Sequence, residues 1–305
     1  MNNKHAYLIV AHNNFNILKK LLQILDNENN DIFLHIDKKI KKIDISNLKK
    51  DVGKSEIFIY NEISVNWAAY SQTEVEIFLL DKAIKNDNYA YYHLLSGVDF
   101  PIKSQKFIHD FFEKNYGKEF VHFAYNDVPI KIKEKVQYNN IFLDNKYYRK
   151  SNCIRCINKL LVILQKKLKI KKNKNLKIMT GANWFSITNE LACYIVENRI
   201  QIRKTFKGTM NSDEFFIQTL IQNTDFVKKL YINNYNDDYH SCMRCIDWTR
   251  GRPYIYNKDD FSQLINSDYL FARKFDENVD YEIIELLFEY LKEKKDNEKI
   301  KKNNK

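Results

Sequence analysis

The acidic pair Asp213-Glu214 follows Ser212 and precedes an apolar run of Phe215, Phe216, Ile217 and Leu220. Two chemistries fit a carboxylate in that place. It can take a proton from an attacking hydroxyl, as a general base does, or it can serve an ordinary helix start. A helix beginning at Ser212 would hold the Glu214 carboxylate ionised through its dipole, with Asp213 as the capping partner. Further along, Arg250, Arg252, Arg273 and Lys274 concentrate fixed positive charge near the end of the chain. Arginine grips phosphate oxygens in bidentate fashion and lysine acts as a point charge, although solvated surface cations are common in so basic a chain. Nowhere do two aspartates stand two residues apart, the spacing that holds Mg²⁺ or Mn²⁺ against a phosphate; Asp237-Asp238 and Asp259-Asp260 are adjacent pairs in loops. Cys153-x-x-Cys156 and Cys242-x-x-Cys245 have the spacing of zinc thiolates, but a helix carries the first pair and a strand the second, so free thiols are expected.

These residues need a scaffold, and the first 125 residues describe one. Ala6–Ala11 is a continuous apolar run of the kind buried on both faces of a sheet. Phe15, Leu18, Leu21, Leu22 and Leu25 then recur at helical spacing, and Ile32–Ile36 closes a βαβ unit. Ile57–Tyr60 and Ala90–Leu95 read as strands, and Ser71–Ala83 and Ile108–Lys114 as helices. Alternation of this type predicts a mostly parallel sheet with helices on both faces. Ligands of such sheets bind outside the carboxyl ends of the strands, which directs attention to His12, Asp37 and Ser96–Asp99. Residues 126–178 form a basic insertion with an amphipathic helix over 154–168. A helix follows from Asn189 and another spans Ser212 to about Gln222. Leu230–Ile232, Met243–Trp248 and Tyr254–Tyr256 read as short strands or extended loops. A last helix covers Tyr281–Lys294, and residues 291–305 form a charged, frayed tail. The expected organisation is one domain over 1–290: a nucleotide-binding half to about 125, the insertion, and an acceptor and catalytic half over 179–290.

Composition bounds the classes. Of 305 residues, 44% are hydrophobic and 14% aromatic, which excludes a disordered chain. Six Gly and three Pro leave turns to Asn and Asp, as at Asn13-Asn14 and Asn233-Asn234. The formal charge of +11 favours anionic partners without choosing among nucleotides, lipids and nucleic acids. No secretory signal and no run of ~18 apolar residues is present, so a cytoplasmic protein with reduced thiols is expected, held peripherally at an inner membrane surface by 154–168. A basic nucleic-acid or membrane-surface binder is the rival from another class. No aromatic RNA-binding pair, KH loop or zinc-finger spacing supports nucleic-acid readout, and no nucleic-acid partner is expected.

Eight segments together resemble the core-2/I-branching glycosyltransferases, glycosyltransferase family 14, as a bacterial-type member. They are AYLIVAHNN from residue 6, HIDKK at 35–39, VNWAAYS at 65–71, LLSGVDFPIKS at 94–104, TGANWFSIT at 180–188, NSDEFFIQTLI at 211–221, CIDWTRGRP at 245–253 and LFARKFD at 270–276. They stand in the family's order and reach across nearly the whole chain.

The resemblance implies a GT-A-like α/β fold lacking the Asp-x-Asp metal motif. It implies inverting transfer from a UDP-sugar, UDP-N-acetylglucosamine or in one branch UDP-xylose, to a hydroxyl of a glycan acceptor, possibly lipid-linked, in surface polysaccharide or lipooligosaccharide synthesis. Val10, His12, Asp37 and Trp67 fall at uridine-binding positions, Arg252 and Lys274 at the diphosphate, Glu214 at the catalytic base and Trp248 in the acceptor site. Arg250 competes with Arg252, and Arg273 adjoins Lys274. No cofactor and no metal are expected. Read without the resemblance, a lone Trp67 is core, Trp184 is core and Trp248 exposed, and His12, His35 and Asp99 are structural.

Overall fold

A computed structural model describes residues 3–41, 44–235 and 238–303. The expected alternation is present. The strands are β1 (His5–Ala11), β2 (Asn30–Ile36), β3 (Glu56–Tyr60), β4 (Tyr91–Ser96), β5 (Phe100–Pro101), β6 (Phe120–Val121), β7 (Phe185–Thr188), β8 (Arg244–Ile246) and β9 (Phe271–Arg273). The helices are α1 (Phe15–Leu25), α2 (Ile45–Lys50), α3 (Tyr70–Asn86), α4 (Gln105–Lys114), α5 (Ile130–Gln137), α6 (Asn152–Lys167), α7 (Asn189–Glu197), α8 (Arg199–Phe206), α9 (Phe216–Ile221), α10 (Phe261–Asn266) and α11 (Glu282–Asn303).

The main sheet runs β3-β2-β1-β4-β7-β6. Its first four strands are parallel, and β7 and β6 join antiparallel. Period-two alternation divides β1 between two cores: Ala6 and Leu8 face the layer of α3 and α7, while Tyr7, Ile9 and Ala11 face that of α1 and α11. Both faces are therefore covered, as the GT-A-like expectation requires, and the continuous apolar run of β1 is the consequence. A smaller sheet, β5-β9-β8, lies beyond the carboxyl end of β4. Arg244 of β8, fully buried, ties it to the main sheet by donating to the carbonyls of Leu94 and Phe185 at 3.3 and 2.9 Å.

Several expectations need correction. The Ser212–Gln222 helix is broken: a 3₁₀ turn at Ser212–Glu214 ends at Phe215, whose φ of −126° leaves the helical region, and α9 starts only at Phe216. The segments read as short strands or extended loops need no correction: Met243–Trp248 contains β8, Leu230–Ile232 makes a single bridge, Leu230 to Glu119, and Tyr254–Tyr256 is a loop held by Tyr254 N–H to Asp247 O and Tyr256 N–H to Lys274 O. The terminal helix continues to Asn303 where a frayed tail was expected; Asn304 and Lys305 lie outside the described residues, as does Asp237 of the acidic loop pair. The thiols do not gather: Cys153 and Cys156 are exposed on α6, Cys242 is buried, and among the described residues no three His, Cys, Asp or Glu converge as metal ligands. Among those residues, too, no helix is long and apolar enough to cross a membrane.

Candidate active site

The carboxyl ends of β1, β2 and β4 open into a cleft of about 1600 Å³. Single small-molecule sites span about 300–1,000 Å³, so the cleft has room for two substrates side by side. A second hollow of about 690 Å³ lies at the opposite, amino ends of the strands, near His5 and His109. Strand polarity selects the first as the site.

Short turns after three strands supply one wall. Val10 is half-buried at the end of β1 and His12 is exposed just beyond it; both line the cleft. Asn14 then takes the left-handed conformation, φ 52°, and lets the chain turn into α1, a turn role given to asparagine where glycine is scarce. Asp37, buried, follows β2; its Oδ1 accepts from the backbone N–H of Lys39 at 2.9 Å and its Oδ2 pairs with Lys39 Nζ at 3.1 Å. Although His12 is exposed at its edge, partial desolvation by the cleft lowers its pKa, opposed by the Asp37 charge, which favours the neutral imidazole. Asp99 is the turn holder it was read as: its carboxylate accepts from the backbone N–H and hydroxyl of Ser96 at 2.8 and 2.7 Å. His35 is buried, accepts from the Ile63 N–H at 3.1 Å and has its pKa lowered to about 4 by burial.

Trp67 overturns its reading as core. It sits on the loop before α3 with 62% of its surface exposed, and the Arg149 guanidinium lies 5.0 Å from its ring centre. Residues 145–150, of the basic stretch, line the cleft beside it. Trp184 is buried under the Arg273 guanidinium at 4.2 Å, whereas Trp248 is half exposed on the opposite rim. Both tryptophans are as expected.

Glu214 lies on the cleft floor. Gly181 fixes its backbone: the Gly181 N–H and the Thr180 hydroxyl both donate to the Glu214 carbonyl at 2.9 Å. No other residue fits at 181, because a Cβ there would stand 1.8 Å from the His122 carbonyl oxygen. One carboxylate oxygen accepts from the Asn211 side chain at 3.0 Å. The helix dipole expected to keep this carboxyl ionised is not available to it. Glu214 ends a three-residue turn rather than opening a helix, and burial raises its pKa, with the nearby Lys135 charge only partly opposing. Asp213 is no cap either. It is buried, accepts from Gln72 Nε2 at 3.1 Å through Oδ2, leaves Oδ1 without a partner, and is pushed up to about 7 by burial and then by Glu214.

A third acid escaped sequence reading. Glu76 of α3 lines the same cleft, is buried with Oε2 unpartnered, and has its pKa raised well above the usual range by burial and the neighbouring Asp213. Its signal was an acidic residue inside the apolar stretch Val75–Leu80, overlooked because a single Glu on a helix reads as solvated.

The four candidate cations separate into two kinds. Arg250 does not line the cleft: Nε and Nη1 pair with Asp247 and Asp260 at 2.5 and 2.7 Å. Arg273 lines it, but its guanidinium is engaged by Asp99 at 3.0 Å and by the Trp184 face. Arg252, exposed, and Lys274, half-buried, line the cleft with no side-chain partner among the described residues. Free positive charge thus faces the same space as a half-buried carboxylate. The arrangement can hold a diphosphate at one end and deprotonate a hydroxyl at the other.

Comparison with known proteins supplies the family. The family model described as Core-2/I-Branching enzyme matches residues 5–264. Canine "Xylosyltransferase 2" is 21% identical over 301 residues, covering 92% of this chain and 33% of its own length. Bovine "Beta-1,3-galactosyl-O-glycosyl-glycoprotein beta-1,6-N-acetylglucosaminyltransferase" is 24% identical over 322 residues, 95% of this chain and 70% of that protein. The chain thus spans about a third of the xylosyltransferase. The solved structure of apo mouse xyloside xylosyltransferase 1 covers 88% of this chain and 96% of its own at 9% identity and a TM-score of 0.36, too loose a likeness to position any residue.

Proposed function

Because the chain belongs to the Core-2/I-branching enzyme family, we propose that it transfers a sugar from a UDP-sugar to a glycan hydroxyl, with inversion and without a bound metal. N-Acetylglucosamine is the sugar proposed first, following the bovine relative; xylose is the second reading, following the canine one. The observation that carries the proposal is the half-buried Glu214 carboxylate in one cleft with the unpaired Arg252 and Lys274.

In this reading the uridine lies along Val10, His12 and Asp37, against the exposed face of Trp67. The acceptor enters past Trp248. Its hydroxyl oxygen attacks the anomeric carbon from the side opposite the diphosphate, and the hydroxyl proton passes to Glu214. The bond from that carbon to the phosphate oxygen breaks, and UDP leaves with the electron pair against Arg252 and Lys274. A raised pKa makes Glu214 a stronger base than an ordinary glutamate while leaving it ionised above that pKa. Fixed side-chain cations replace a metal at the leaving group, consistent with the lack of any Asp-x-Asp pair.

The test is a panel of UDP-sugars assayed for UDP release and product mass, with and without EDTA. Turnover of UDP-N-acetylglucosamine or UDP-xylose that persists in EDTA is expected, and Glu214→Gln should bind UDP as before while losing turnover by about 10²–10⁴-fold. Full activity in that variant removes Glu214 from the mechanism, and collapse in EDTA removes the metal-free claim.

A further inference from the structure

Helix α6 is built inside out. Of its 16 residues only Asn158 is buried, where its side chain donates to Asn140 Oδ1 at 2.9 Å and accepts from the Phe142 N–H. Its large apolar residues face outward: Ile157, Leu160 and Leu164, continued by Leu168 at the helix end, are 43, 64, 50 and 59% exposed. Their spacing of three, four and four residues puts them on one stripe of the helix, with Ile163 at its edge. A globular helix buries such a stripe, and this one buries the polar residue opposite. A contiguous exposed apolar stripe on a well-formed helix marks a surface meant to be covered.

The surrounding charge says by what. Between Asp144 and Glu190 there is no acidic residue, and residues 146–177 carry twelve lysines and arginines. Among the described residues only Lys166 of these has a carboxylate partner, Glu134, and Lys172 is turned inward onto the carbonyls of Thr205 and Lys207. Lys167, Lys169 and Lys174 are exposed beside the helix end. A second copy of the chain would set this cationic surface against itself. An apolar stripe set among unneutralised cations matches an anionic bilayer, where the side chains enter the acyl boundary and the lysines meet lipid phosphates.

We propose that α6 docks the protein on anionic lipid membranes. The docking helix is joined to the cleft directly: residues 145–150 line the cleft and α6 begins at Asn152. Docking therefore holds one wall of the site at the membrane, where an acceptor carried on a lipid would be presented. The docking claim stands whether or not the donor reading is correct, since vesicle binding needs neither UDP nor turnover.

The test is cosedimentation of the full chain with vesicles of phosphatidylcholine alone or of phosphatidylcholine and phosphatidylglycerol in a two-to-one ratio. Binding is expected only to the anionic vesicles, weakened in high salt as the Debye length shrinks from about 10 to 3 Å. Leu160→Gln/Leu164→Gln/Leu168→Gln should lower partitioning by about tenfold or more while keeping the wild-type melting temperature, because all three sites are exposed. Lys167→Glu/Lys169→Glu/Lys174→Glu should abolish the preference for anionic lipid. Equal binding to both vesicle types overturns the proposal, as does a leucine triple variant that binds like wild type. So does a concentration-dependent dimer, seen by sedimentation velocity, that the leucine variant abolishes while vesicle binding is absent; the stripe would then be covered by a second copy.

Discussion

Arg250 and Arg252 are two residues apart in the same loop, and their surroundings differ: the first is tied into the fold and the second lines the cleft. Arg250 joins Asp247 to Asp260, with its guanidinium 4.0 Å over the Tyr254 ring. Asp260 is buried, and its other oxygen accepts from the Asn257 N–H at 3.0 Å in a capping box that starts the turn before α10. Replacing Arg250 with Ala strands that carboxylate. The arginine side chain is 40% exposed, so water screens part of the pair, and the cost lies between that of a surface and a buried bridge, about 1–3 kcal/mol. At about 2 °C per kcal/mol for a chain of this size, the melting temperature should fall by about 2–6 °C. Arg252→Ala removes no internal contact and should leave the melt unchanged. It should remove a charge-assisted contact with the diphosphate, worth about 1.5–3 kcal/mol, which weakens UDP by about 10–150-fold. Titration calorimetry with UDP beside scanning calorimetry of each variant reads both effects. An Arg252→Ala protein that binds UDP as wild type does, beside an Arg250→Ala protein that melts normally and loses UDP, would exchange the two roles and refute the reasoning.

Asp213 titrates near neutrality in the folded protein, about 7 against 3.8 unfolded. A carboxyl with a raised folded pKa contributes stability that is full below pH 4 and lost as pH rises through 7, so Asp213→Asn should flatten chemical-denaturation stability between pH 4 and 7 and be relatively most stabilising at pH 8; an unchanged slope in that window would show Asp213 ionising freely. Gly181→Ala should destabilise the fold by several kcal/mol and lower turnover in whatever protein folds, because the new Cβ must displace the His122 carbonyl and with it the tie to Glu214; a variant with normal melting and normal turnover would refute the close approach. The pH–rate profile of the wild-type enzyme should fall on the acid side through the raised pKa of Glu214, above the ordinary glutamate value of 4.5; a limb at or below that value would mean Glu214 is not the group that titrates.

The scaffold was readable because its signals are strong and local. The βαβ unit from His5 to Ile36 combines buried apolar runs with an unbroken helical repeat, and α1 occupies the residues its spacing foretold. What local patterns leave open or misplace depends on contacts between distant segments. Tyr254–Tyr256 reads equally as a short strand or an extended loop, and its backbone partners, Asp247 and Lys274, decide for the loop. The helix through Ser212 reads as continuous because the apolar run from Phe215 carries no breaker; the structure interrupts it at Phe215, whose φ of −126° leaves the helical region. The site was legible as a set of residue types, and its division of labour was not. Nothing in a row of Arg250, Arg252, Arg273 and Lys274 says that Asp247, Asp260 and Asp99 claim the first and third. Trp67 reads as core because tryptophan usually is, and its exposure follows from a loop in which Ala68 takes a left-handed φ of 64°.

The proposed mechanism asks one cleft both to bind a diphosphate and to carry a base, and the three acids bear on how it could. Three ionised carboxylates beside a dianionic leaving group would repel it and raise the cost of closing water out of the site. Burial removes most of that charge. Burial and the neighbouring Asp213 push Glu76 toward its neutral form, and Asp213, at about 7, is half neutral at pH 7. Beyond burial, the upward shifts form a chain: the Glu214 charge raises Asp213, and the Asp213 charge raises Glu76. Glu214 differs in its burial: it is only half-buried, and Lys135 and the Asn211 amide oppose the upward push there, whereas Asp213 sets the same Lys135 charge and the Gln72 amide against full burial and the Glu214 charge. In the proposed mechanism negative charge therefore collects on the residue that would accept the proton, and Arg252 and Lys274, without a side-chain partner among the described residues, would be left to meet the donor. Replacing Asn211 or Lys135 should consequently cost more activity than replacing Glu76, although Glu76 is the more deeply buried.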